Sequence, residues 1–123
     1  MTIIEAINKV DTLKPNNYSQ ETKIEWLSKL DGVVKAEVID THEGDNQYHF
    51  FGYDANTNIS TELLVPAPHE DLYIRWLEAQ IDYANGEYTK YNNAMSMYNA
   101  AYSAFEKHYN RTHMPKGEKL TYF

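Results

Sequence analysis

What most limits the folds open to this chain is a long apolar and aromatic stripe in its second half. Ile74, Leu77, Ile81, Ala84, Tyr88, Tyr91, Met95, Tyr98, Tyr102, Phe105 and Tyr109 follow one another at steps of three and four. That spacing puts them on one face of an α-helix. The phase does not slip at Asn85-Gly86, although Asn-Gly is a turn signal. The simplest expectation is one helix over about 69–111, continuous or kinked near Gly86. Pro66-Ala67-Pro68 blocks helix before it, and His69-Glu70-Asp71 supplies acidic residues where it should begin. From Ile74 to Tyr109 such a helix would run roughly 54 Å, whereas a compact domain of this length has a radius of gyration of about 14 Å. A helix that outruns its own domain leaves part of its stripe to be covered by another subunit.

The first half predicts two shorter helices. Thr2 and Glu5 fit a capping box ahead of Ile3, Ile4, Ile7 and Val10, so a helix is expected over about 2–13, ended by Pro15. Ser19 offers a second N-cap with Glu21 in the first turn. Ile24, Leu27, Leu30, Val34 and Val38 then carry a helix over about 20–39, with Gly32 as a point where it could bend. Residues 40–66 break the helical pattern. Glu43-Gly44-Asp45-Asn46 and Asp54-Ala55-Asn56-Thr57-Asn58 are turn chemistry around an aromatic run, which predicts a loop or a small β-hairpin. The fold expected is thus mainly α: one domain over 1–113, a small helical bundle with a long C-terminal helix, followed by an extended arm over 114–123.

Charge narrows the function. The formal net charge is −7, and between Glu37 and Ile74 there are eight acidic residues and no Lys or Arg. A groove that grips phosphates needs the opposite sign, so direct nucleic-acid binding is not expected. No stretch approaches the length of apolar residues needed to span a bilayer, and in Met1-Thr2-Ile3-Ile4-Glu5 no basic segment leads into an apolar run, so a signal peptide is not expected. Cysteine is absent, which fits synthesis in a reducing cytoplasm.

No catalytic pattern emerges. His42, His49, His69, His108 and His113 are scattered, with no HExxH pair, and the glycines form no phosphate-binding loop. Asp40, His42, Glu43 and Asp45 could be drawn as a metal cluster, but they lack EF-hand spacing and are better explained as a solvated acidic turn. No metal and no cofactor is expected, and the chain is expected to be non-enzymatic. Tyr88, Tyr91, Met95, Tyr98, Tyr102, Phe105 and Tyr109 are the candidate subunit interface or packing stripe, since Tyr buries a large ring while its hydroxyl stays wet. After His113, Pro115 and Gly117 stop the helix. A basic linker ending in Leu120-Thr121-Tyr122-Phe123 has the makings of an arm that adds a strand, or inserts an anchor, into a neighbour.

Several stretches, taken in order, resemble the small prophage proteins of the head-to-tail connector (adaptor or head-completion) class. They are Ile4-Glu5-Ala6-Ile7-Asn8, Leu13-Lys14-Pro15-Asn16, Glu62-Leu63-Leu64-Val65-Pro66-Ala67-Pro68, Arg75-Trp76-Leu77-Glu78-Ala79-Gln80-Ile81-Asp82-Tyr83, Asn85-Gly86-Glu87-Tyr88 and Tyr109-Asn110-Arg111-Thr112-His113-Met114-Pro115. The likeness runs nearly end to end and is carried by order and chain length, not by any chemically diagnostic motif. It implies a homo-oligomeric, typically dodecameric, ring in the virion neck, made in the host cytoplasm. Such a ring sits beneath the portal protein, receives the next neck or tail-completion protein, and passes DNA through its bore as cargo. In that class the arm engages the portal, which here assigns Lys116, Lys119, Leu120, Thr121, Tyr122 and Phe123 to the contact. The other function considered is a prophage-encoded dimeric helical protein that binds a host protein target.

Overall fold

The computed structural model describes residues 1–44 and 48–116, and these form a helical bundle without a sheet. Helix α1 (Ile3–Leu13) starts where the capping box predicts: Glu5 N donates to Thr2 Oγ1 at 3.2 Å, and Thr2 N donates to Glu5 Oε1 at 2.8 Å. Its first amides would otherwise lack partners. Ile3 N donates to the Thr61 carbonyl and Ile4 N to the Ile59 carbonyl, each at 3.0 Å, so the middle segment completes the cap.

Helix α2 (Gln20–Val34) is capped by Ser19 Oγ, which accepts from Thr22 N at 3.1 Å. It continues through Lys35–Ile39 as a wider π turn, in which Asp40 N reaches back five residues to the Lys35 carbonyl. The expected span of 20–39 is therefore helical throughout. The change in winding falls after Val34, two residues beyond Gly32.

The expected continuous helix over 69–111 is corrected. The chain makes α3 (Leu72–Ala84) and α4 (Tyr88–Thr112), which fold back on each other. The break is a Schellman turn: Glu87 N bonds the Asp82 carbonyl at 2.9 Å and Gly86 N bonds the Tyr83 carbonyl at 3.0 Å. Gly86 takes the left-handed conformation this turn needs, with φ +75°. The unbroken phase from Ala84 to Tyr88 suits the hairpin as well as the single helix, because two antiparallel helices bury facing stripes. Aromatic rungs two helical turns apart join them, Tyr83–Tyr91 at 5.1 Å and Trp76–Tyr98 at 5.1 Å between ring centres, and His69 in the turn before α3 meets Phe105 at 6.1 Å. Folding back covers within the chain most of what a straight helix would have exposed.

Nothing crowds a Cβ at Gly86, so the cost of an L-residue there is backbone strain alone. Gly86→Ala is expected to lower stability by about 1 kcal/mol, with Gly86→Asn losing less because Asn tolerates this conformation. Urea unfolding of the three chains tests the turn. A straight helix through residue 86 would instead gain stability from Ala.

Among the described residues the middle segment is an irregular loop and no β-hairpin forms. Only isolated bridges occur, Thr2 with Glu62 and His42 with Pro115. Asp54 and Asn58 each turn the chain by accepting from the amide two residues on, at 2.8 Å. The core is closed by Ile3, Ile7 and Val10 of α1, Leu27, Leu30 and Val34 of α2, Leu72, Leu77 and Ile81 of α3, and Phe105 of α4. No described helix is long and apolar enough to cross a membrane.

Candidate functional site

The aromatic stripe of α4 is graded along its length. Phe105, Tyr98 and Tyr109 are buried, Tyr91, Met95 and Tyr102 are half-buried, and Tyr88 is 59% exposed at the turn end. Its central members pack on α3 and Tyr109 meets His42 beyond the π turn, so they hold the subunit together. Burial pushes the Tyr98 and Tyr102 hydroxyls up, Tyr102 to about 12. Tyr102 Oη is the single buried side-chain polar atom among the described residues without a protein hydrogen bond.

Below Tyr109 the chain leaves the bundle. Tyr109 stacks flat on His113 at 3.8 Å and meets His42 edge-on at 4.9 Å. The buried His42 hydrogen-bonds the Val38 carbonyl through Nδ1 at 2.6 Å and the Asn110 side chain through Nε2 at 2.7 Å. Two backbone bonds then lay residues 114–116 beside 41–43: Glu43 N to the Met114 carbonyl at 2.7 Å, and Lys116 N to the Thr41 carbonyl at 2.8 Å. Lys116, the first residue of the expected portal-contact arm, is thus anchored at this junction. Lys119, Leu120, Thr121, Tyr122 and Phe123 lie outside the described residues.

The buried polar groups are committed to the scaffold. Asp31, fully buried on α2, accepts from Tyr73 Oη and Tyr53 Oη at 2.5 Å each and from Leu64 N at 3.1 Å. Val65 N in turn donates to Tyr73 Oη at 2.7 Å. Desolvation raises the Asp31 pKa against these three donors, and burial next to Asp31 raises Tyr53 and Tyr73. A shifted carboxyl is a candidate for catalysis only where it faces a cleft. Asp31 faces none, and what it does is tie the middle loop to α2 and α3. Lys23 pairs with Asp11 and Asp82 with Lys14, both at 2.6 Å, and Lys35 pairs with Asp40. Among the described residues no three His, Asp or Glu side chains are grouped to hold a metal.

Two surface features escaped the sequence reading. On α2 the loop around Gly52 displays Phe51 at 89% exposure, with Tyr48 at 47%. Elsewhere a groove of about 250 Å³ opens between α3 and α4, floored by Ala94 and Met97 and edged by Lys14, Arg75 and Lys90 together with Glu78, Asp82 and Asn93. The aromatic run was visible in sequence, but its register was not. Without the hairpin, Arg75 and Lys90 stand four turns apart and no groove exists between them.

No protein-family model matches the chain, and neither the curated proteins nor the solved structures compared with it give a match.

Proposed function

We propose that this protein is a structural assembly subunit, and that its assembly is a connector ring joining a phage head to its tail. The observation that carries the proposal is the division of labour between interior and surface. Asp31, Asp82, Lys23, Lys35 and His42 all serve the fold through partners of their own. Large apolar side chains, meanwhile, are displayed outside: Phe51, Met114 at 61%, Leu13 at 59%, Tyr88 and Met97. Such side chains, presented on a body whose buried charged groups are already paired, suit protein contact better than chemistry. The order of sequence stretches that resemble connector proteins supplies the kind of assembly. In this proposal the segment from Lys116 to Phe123 reaches the portal, a further surface receives the next neck protein, and the acidic body lets DNA pass without sticking.

Mass and shape in solution test it, for the chain alone and mixed with the portal protein of the same genome. The comparison chain stops after Lys116, which preserves both backbone bonds of the junction. A ring-sized complex formed by the full chain and lost on truncation is the expected result. A stable dimer indifferent to the portal and to residues 117–123 would overturn it in favour of the host-directed protein.

A further inference from the structure

Resting on the assembly proposal, we infer that copies of this chain join head to tail, with Phe51 of one copy seated in the α3–α4 groove of the next. Phe51 is exposed, yet the loop that carries it is fixed. Phe50 packs edge-on against the buried Tyr53 at 5.2 Å, and Tyr53 N donates to Ser28 Oγ of α2 at 2.9 Å. Gly52 sits at φ +86° with Ser28 Oγ only 2.7 Å from where a Cβ would stand. The ring of His49 lies against Phe51, 4.3 Å away between ring centres. A ring held out by a pinned backbone loses little freedom on binding, which is what an interface anchor requires.

The groove offers what that ring needs. The groove, about 250 Å³ and open to solvent, leaves room for one ring laid over Ala94 and Met97 within a rim of Lys14, Arg75, Glu78, Asp82, Lys90 and Asn93. Met97, half exposed, supplies a thioether wall. Asp82 is already neutralised by Lys14, whereas among the described residues Arg75 and Lys90 meet carboxylates only at longer range, Glu78 at 3.7 Å and Glu87 at 3.5 Å. Both cations are therefore available to an aromatic face. Signs match as well: Asp54 follows Phe51 by three residues on an exposed loop within a stretch that has no Lys or Arg. Opposite charge at the rim sets the orientation of approach.

Loop and groove lie on different elements, the one pinned to α2 and the other formed by Lys14, α3 and α4. Seated one way from copy to copy, as the assembly proposal requires, such a contact closes into a ring or runs on as a filament, whereas reciprocal seating of the two loops makes a two-fold dimer that stops at two copies. The contact is small, so it gains strength only when repeated around a closed assembly.

The chain has no cysteine, so Phe51→Cys and Met97→Cys report the contact directly. Both positions are exposed, and circular dichroism confirms that the variants fold. Mixed under mild oxidation, the two single variants are expected to give a heterodimer, and the double variant a ladder of covalent multimers. Arg75→Glu in the Met97→Cys chain should cut the yield about tenfold, and Asp54→Arg in its partner should restore it. Preferential Phe51→Cys homodimers, or a double variant that stops at a doubly linked dimer, would overturn the inference. So would a ring with the portal that yields no cross-link between the two positions, while the assembly proposal would stand. If neither self-association nor a portal complex forms, the assembly proposal fails first and takes this contact with it.

Discussion

Asp31→Ala is expected to lower the unfolding free energy by about 3 kcal/mol and the melting temperature by on the order of 10 °C. The carboxylate accepts from two tyrosine hydroxyls and one amide in a site without solvent access. Alanine leaves three buried donors facing a void, and each unsatisfied group costs about 1–3 kcal/mol. The total falls below the sum because an ionised group no longer has to be desolvated. The loss should also be local. Leu64 and Tyr53 are pinned through Asp31, so amide exchange in 53–65 should rise more than in α1. A double variant with Tyr73→Phe separates the network from the cavity: since both remove the same Tyr73–Asp31 bond, their effects should be less than additive.

The same residue sets a pH dependence of unusual sign. Burial raises the Asp31 pKa in the folded state above its unfolded value. The folded chain therefore binds the proton more readily, and stability contributed by Asp31 is present below the unfolded value, near 4. It is lost as pH rises through the raised folded value and is constant above it. Asp31→Asn does not titrate, so the comparison cancels every other carboxylate. Wild type should gain on Asp31→Asn as pH is lowered toward 4. A gap that instead widens with rising pH would show that the three donors outweigh desolvation.

The capping box at Thr2, the N-cap at Ser19 and the period-three-and-four stripes made α1, α2 and the burial of α4 legible in the sequence, because these are local signals. Thr2 with Glu5, and Ser19, each fix a helix start within a few residues. The turn at Gly86 was legible only in part. Periodicity registers which face is apolar and is blind to a chain that reverses and presents the same face to itself. The deciding information was the Asn-Gly pair, whose glycine supplies the left-handed residue of the Schellman turn. Asp31 could not be picked out at all, because its partners at 53, 64 and 73 come from three later segments. The α3–α4 groove was hidden for the same reason, since it exists only once Arg75 and Lys90 are brought side by side.

The grading of the α4 stripe predicts the other large effect. Phe105→Ala should cost about 3–5 kcal/mol, in the range for removing a fully buried aromatic side chain. Phe105 is 1% exposed and touches His69, Tyr102 and Tyr109, so the void left by its ring is walled by groups that are themselves held. Tyr88→Ala, by contrast, should cost less than about 1 kcal/mol, because Tyr88 is 59% exposed and its ring meets that of Tyr83, itself 56% exposed. Chemical unfolding of the two variants measures the gradient directly. If Tyr88 proved as costly as Phe105 in the isolated chain, the turn end of the hairpin would be covered in solution by another copy. If Tyr88→Ala is neutral in the isolated chain yet weakens assembly, the stripe divides by function. Its buried members then build the subunit, and its exposed end belongs to the surface the subunit offers to its neighbours.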